Sequence, residues 1–199
     1  MSQPRRHPDR GGEIIARSGA QRDYANQRHP IIKTPCGSRE KSYLCAMRSF
    51  SQIYIMAVFG VKYRAGIIHA SWKDALYAAI GQTLREMDGV MPVCIGGFKD
   101  HVHVLFSTRG NIPEAEIVRK IKTESTLWIN SHRLAGCHFA WQEGGARISY
   151  SPSAIPGVKR YIGNQEDHHR HRTFREEYEA LMRKMGYLPE ESDLPGELE

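Results

Sequence analysis

Two strand-like runs, MPVCIGGF at 91–98 and HVHVLFS at 101–107, are separated only by Lys99 and Asp100. So short a connection has no room for a crossover helix, and the two runs are expected to pair as an antiparallel hairpin. Side chains alternate across a strand, which places Val102, Val104 and Phe106 on one face and His101 and His103 on the other. The first face is the core-facing one. The second carries two imidazoles at a spacing that can chelate, although two unrelated histidines on a half-solvated sheet face would read the same way.

The flanking sequence supplies the rest of a sheet and its helices. QIYIMAVFGVK, residues 52–62, is dense in β-branched and aromatic residues and reads as a buried strand. Ser71, with Asp74 three residues on, is expected to cap a helix whose apolar face is Leu76, Ile80, Leu84 and Met87, ending by Gly89 and Pro92. Pro113 opens a second helix with Glu114 and Glu116 in its first turn. Val118, Ile121, Ser125, Trp128 and Ile129 form its inner face, and Arg119, Lys120 and Lys122 fall off that face, toward solvent or a ligand. Gly144 and Gly145 mark a loop before a short strand at 147–150. A third helix is expected over about 153–165. A fourth starts at Thr173 with Glu176 as a capping box, buries Phe174, Tyr178, Leu181 and Met185, and closes at Gly186. The order strand, helix, strand, strand, helix, strand, then two helices is a split βαβ pattern, an α+β fold with an antiparallel sheet and packed helices.

Charge divides the 199 residues unevenly. Residues 1–46 carry nine basic and four acidic side chains and lack any sustained period, so a disordered basic extension is expected there, with Met47 a candidate internal start. Residues 47–188 form a single domain, and 189–199 an acidic tail. The centre, 47–175, has 17 basic and 10 acidic residues, which suits a polyanionic partner. Four cysteines, Cys36, Cys45, Cys94 and Cys137, are scattered with no CxxC pair, so neither a zinc ribbon nor a disulfide framework is indicated and reduced thiols are expected. No run reaches the roughly 18 apolar residues of a membrane helix and no signal peptide opens the chain, so a cytoplasmic protein is expected.

Three further groups of residues could carry chemistry. Tyr161 and Gln165 lie one turn apart on the third helix beside an apolar stripe of Ile155, Val158 and Ile162. A phenol is a weak nucleophile without help, so packing is the plainer role for Tyr161. His168, His169 and His171 alternate with Arg170 and Arg172, a run that reads either as a solvated connection or as a phosphate contact. Trp128 and Trp141 are candidates for stacking on bases, with Trp128 more naturally in the core.

Taken in order, QIYI and VKYR, then DHVHVLFS, IKTESTLWIN, FAWQEGG with SYSPS, KRYIGNQEDHH and TFREEY resemble the HUH single-tyrosine transposases of the smallest bacterial insertion sequences, together with relatives associated with repetitive extragenic palindromes. The resemblance spans about residues 50–188. It implies a ferredoxin-like, RNA-recognition-like fold whose C-terminal helices carry the catalytic tyrosine. It also implies a homodimer with shared active sites, acting on single-stranded DNA at hairpins of element ends. In that family the two histidines, here His101 and His103, hold a divalent metal, Mg²⁺ or Mn²⁺, with the helix glutamine, here Gln165. The helix tyrosine, here Tyr161, attacks DNA, becomes linked to a 5′ phosphate and releases a 3′ hydroxyl. Met56 stands where relatives often carry His, and GGARISYS replaces a more usual Gly-aromatic stretch. Lys120, Lys122, Arg170 and Arg172 are the expected DNA-backbone contacts. Two other readings use the same residues: a non-catalytic binding module for single-stranded hairpins, and a metallohydrolase that uses the histidines without Tyr161.

Overall fold

The protein is described by a computed structural model covering residues 50–191 and 194–195. The expected extension at 1–46, Met47, the end of the acidic tail, Cys36 and Cys45 lie outside the described residues. The elements are β1 (Ile53–Gly60), α1 (Lys73–Arg85), β2 (Val90–Gly97), β3 (His101–Thr108), α2 (Glu114–Ser131), β4 (Ala146–Tyr150), α3 (Ile155–Gly163), α4 (Gln165–His168) and α5 (Phe174–Lys184). The four strands form one sheet in the order β2-β3-β1-β4. All three pairings are antiparallel, with His101 opposite Gly60 and His103 opposite Val58 on one side and Gly96 on the other. This is the expected α+β, ferredoxin-like arrangement.

Alternation along the two central strands builds two cores. Ile55, Ala57 and Phe59 of β1 and Val102, Val104 and Phe106 of β3 pack with Leu76, Ile80 and Leu84 of α1 and Ile117, Ile121 and Ile129 of α2. Met56, Val58 and Leu105 face the other way and pack with Val158 and Ile162 of α3 and Phe174, Tyr178 and Leu181 of α5. Every residue of β3 is buried. The histidine face is therefore not half-solvated, because the C-terminal helices cover it.

The tyrosine helix approaches the sheet at a glycine. A Cβ on Gly96 would lie 2.6 Å from the Ile162 carbonyl oxygen and 2.8 Å from Ile162 Cγ2, so α3 sits directly on β2 only because position 96 has no side chain.

Several local expectations shift. Trp72, not Ser71, is the N-cap of α1, and no side chain caps it. The His69 carbonyl accepts from the Trp72 and Lys73 amides, so a backbone turn leads into the helix. The β2–β3 connection includes Phe98, since β2 ends at Gly97 and Phe98 N–H closes the turn on the His101 carbonyl. The third helix breaks at Asn164 into α3 and α4. Met185 is 46% exposed because α5 ends one residue before it. Trp141 belongs to the first core, where its Nε1 donates to Ser125 Oγ at 2.9 Å, and is not placed to stack on bases. The Thr173 and Glu176 capping box forms as expected, and Gly186 closes the helix at φ +78°. Among the described residues no helix is long and apolar enough to cross a membrane.

Candidate metal and nucleophile site

The second face of the sheet holds a cluster of polar groups inside its apolar surroundings. β3 contributes His101 and His103, both fully buried, and α5 contributes Glu177, which is 2% exposed. The possible ligand atoms of these three side chains lie within 4.8 Å of one another, an arrangement that could hold a metal ion. Neither ring nitrogen of His103 has a hydrogen-bond partner. An imidazole buried without partners carries an unrecovered desolvation cost, and a bound cation is one way to recover it. Two imidazoles with carboxylate and amide oxygens nearby form a mixed nitrogen and oxygen donor set that suits a divalent first-row ion.

The third helix brings its residues to the same place. Gln165 is buried, its Nε2 donates to Glu177 Oε1 at 2.8 Å, and its Oε1 lies 3.3 Å from His101 Nε2. The Tyr161 hydroxyl donates to Glu177 Oε1, and the ring meets that of His103 edge-on at 5.6 Å. Burial first, and then the Glu177 charge and the hydrogen bond to it, push the Tyr161 phenol above its ordinary range. Burial opposes the charge on Glu177, but the imidazoles of His103 and His169 beside its oxygens hold the carboxyl well below the usual carboxylate range. Burial and the neighbouring His103 push His101 well below the ordinary imidazole range, so His101 is neutral.

Behind His101 lies a buried support. His101 Nδ1 donates to Asp100 Oδ1 at 2.8 Å, and Asp100 is ion-paired with the buried Arg64. The Arg64 guanidinium sits 4.3 Å from the centre of the Phe174 ring, which stacks on His101 at 4.1 Å and 13°. Tyr63 and Arg64 reach this position with φ of 57° and 58°, a left-handed backbone that non-glycine residues rarely adopt.

The other sequence-selected residues are dispersed. Arg170 and Arg172 are exposed on the connection between α4 and α5. They line a cleft of about 430 Å³ with Phe98, His169 and Phe174. Lys120 and Lys122 lie on α2, whose inner face packs on the opposite side of the sheet, and the structure does not bring them to the histidines. Lys122 Nζ donates to the carbonyls of Gln142 at 2.8 Å and Gly144 at 2.5 Å, so its ammonium fastens a loop. Burial, reinforced by Arg147, lowers it to about 8. Trp128 is half-buried beside His132.

Glu177, Asp100 and Arg64 complete the site, and the sequence reading assigned none of them a role. Glu177 had a signal: it lies three residues after Phe174 and four before Leu181, which puts a carboxylate on the buried stripe of α5. Arg64 had none, because its position depends on the left-handed turn.

The chain is thus an α+β protein whose antiparallel sheet carries a His-x-His strand under a tyrosine helix, with a side-chain cluster that could hold a metal ion. The IS200-like transposase family matches residues 49–165, more than half of the chain, and the chain belongs to that family. Among solved structures, a candidate transposase from Deinococcus radiodurans R1 shares 17% identity over 65% of this chain and 98% of its own, with a TM-score of 0.46. A REP-associated tyrosine transposase bound to a REP hairpin shares 14% identity over 60% of this chain and 68% of its own, with a TM-score of 0.45. No curated protein matches the chain.

Proposed function

We propose that this transposase cuts and rejoins single-stranded DNA through a 5′-phosphotyrosine on Tyr161, with Mg²⁺ or Mn²⁺ held by His101, His103, Gln165 and Glu177. The observation that carries the reading is the meeting of Tyr161 with His103 and Glu177 in one buried cluster. The family match supports it.

The chemistry balances on groups this chain supplies. The Tyr161 oxygen attacks the scissile phosphorus, the bond to the 3′ oxygen breaks, and that oxygen takes up a proton to become a 3′ hydroxyl. The phenol proton leaves to solvent as the new bond forms, while Glu177, held ionised, orients the hydroxyl by accepting its hydrogen bond. When bound, the divalent ion would polarise the phosphate and offset the Glu177 charge that holds the phenol neutral. One phosphoester replaces another, so a 3′ hydroxyl can reverse the attack without ATP. Arg170 and Arg172, beside the cleft at His169, contact the DNA backbone, and hairpins at element ends are the substrate. Lys120 contacts phosphates only on the far layer, and Lys122 holds the loop at 142–144. Tyr161 works with the histidines of its own chain, so the reading does not depend on a homodimer with shared sites.

A denaturing-gel assay on single-stranded DNA from both flanks of the gene, with Mg²⁺ or Mn²⁺, tests the proposal. A covalent protein–DNA adduct that needs metal and disappears in Tyr161→Phe is expected. Hairpin binding without an adduct would favour the non-catalytic binding module, and metal-dependent cleavage that survives Tyr161→Phe would favour the metallohydrolase.

A further inference from the structure

His169 lies outside the His-x-His strand, in the link between α4 and α5, yet its side chain is only 3% exposed. Its ring stacks on Phe98 at 5.1 Å and meets His101 edge-on at 4.6 Å. Its Nδ1 is 2.9 Å from the Arg172 carbonyl oxygen. A carbonyl only accepts, so Nδ1 carries the proton, and in the neutral ring Nε2 presents a lone pair. The same logic holds for His101. Its Nδ1 donates to the Asp100 carboxylate, which leaves the Nε2 lone pair facing inward.

These two Nε2 atoms are 3.1 Å apart. Gln165 Oε1 is 3.0 Å from His169 Nε2 and 3.3 Å from His101 Nε2. Glu177 Oε2 is 3.0 Å from His169 Nε2 and 3.5 Å from His101 Nε2. Four polar atoms, two of nitrogen and two of oxygen, thus converge at spacings of 3.0 to 3.5 Å. With both rings in these tautomers, a cation between them would join the four as ligands. We infer that His169 is a further ligand of the divalent ion, with the Arg172 carbonyl setting its tautomer as Asp100 sets that of His101. The inference rests on the proposed reading of the cluster as a metal centre. An additional imidazole shifts the donor set away from Mg²⁺ and toward Mn²⁺.

Metal binding to the full chain without DNA separates this inference from the reading beneath it. Titration with Mn²⁺, followed by calorimetry, is expected to show His169→Ala binding at least about tenfold more weakly than wild type. Mg²⁺ binding should fall less. Pulsed electron paramagnetic resonance of the wild-type Mn²⁺ complex is expected to show couplings from three imidazole nitrogens. This reading does not depend on the variant folding. Wild-type binding with only two imidazole couplings, or with an unchanged affinity in His169→Ala, overturns the role of His169 and leaves the metal centre standing. No Mn²⁺ binding by wild type overturns both.

Discussion

The two faces of the sheet share the strands β1 and β3 but solve different problems. The face under α1 and α2 is almost wholly apolar: Val102, Val104 and Phe106 meet leucines and isoleucines, and Trp141 satisfies its indole nitrogen on Ser125. The face under α3 and α5 buries Met56, Leu105 and Ile162, but also two histidines, a glutamine and a glutamate. Its polar atoms include both ring nitrogens of His103, which lack a hydrogen-bond partner. One face stabilises the fold. The other gives up some of that stability to hold groups in place for a ligand, and a one-residue alternation along β3 is what keeps the two apart.

That contrast can be broken from either side. Tyr161→Phe should remove the covalent adduct, a loss on the order of 10³-fold or more, with little change in Tm, because the ring and its packing remain. Phe106→Ala on the first face should destabilise by about 3–5 kcal/mol in a denaturant titration, since it opens a cavity in a fully buried layer. Gly96→Ala should cost about 1–3 kcal/mol by forcing α3 off β2, and should depress adduct formation beyond what its stability loss explains, because Tyr161 moves with the helix. Thr173→Ala removes the capping box that starts α5, the helix of Glu177, and should cost about 1 kcal/mol.

A further test lies within the second face itself. His103→Leu keeps the volume but removes the imidazole beside the buried Glu177 carboxylate, so stability without metal should fall by about 1–3 kcal/mol. Thermal unfolding should also separate the faces by ligand. Mn²⁺ at 100 times its Kd should stabilise wild type by about 2.7 kcal/mol, and His103→Leu should lose most of that gain.

Much of the architecture was legible because it follows from period. The hairpin, the alternating β3 strand, the inner face of α2 and the capping box of α5 are local patterns, and each appears where the residues put it. The chemistry of the second face was legible only in part. Spacing paired His101 with His103 and Tyr161 with Gln165, the family resemblance joined the two pairs into one site, and the four side chains do converge. The burial of the histidines does not follow from β3 alone, because it depends on α3 and α5, which fold back over the sheet from much later in the chain. Arg64 depends on a backbone turn that its residue type disfavours, and its pairing with Asp100 spans 36 positions. Lys122 shows the reverse error. A lysine off the apolar stripe reads as available, but two loop carbonyls take its ammonium.

The central claim is that one chain's tyrosine reacts at that same chain's histidine cluster, and mixing two inactive variants tests it most directly. His103→Ala keeps the tyrosine and lacks the metal cluster, whereas Tyr161→Phe keeps the cluster and lacks the nucleophile. With wild type as the positive control, an equimolar mixture incubated with single-stranded flank DNA and Mn²⁺ should yield no covalent adduct. An adduct restored to a large fraction of the wild-type level would show that the tyrosine of one subunit serves the histidines of another, and would contradict the account.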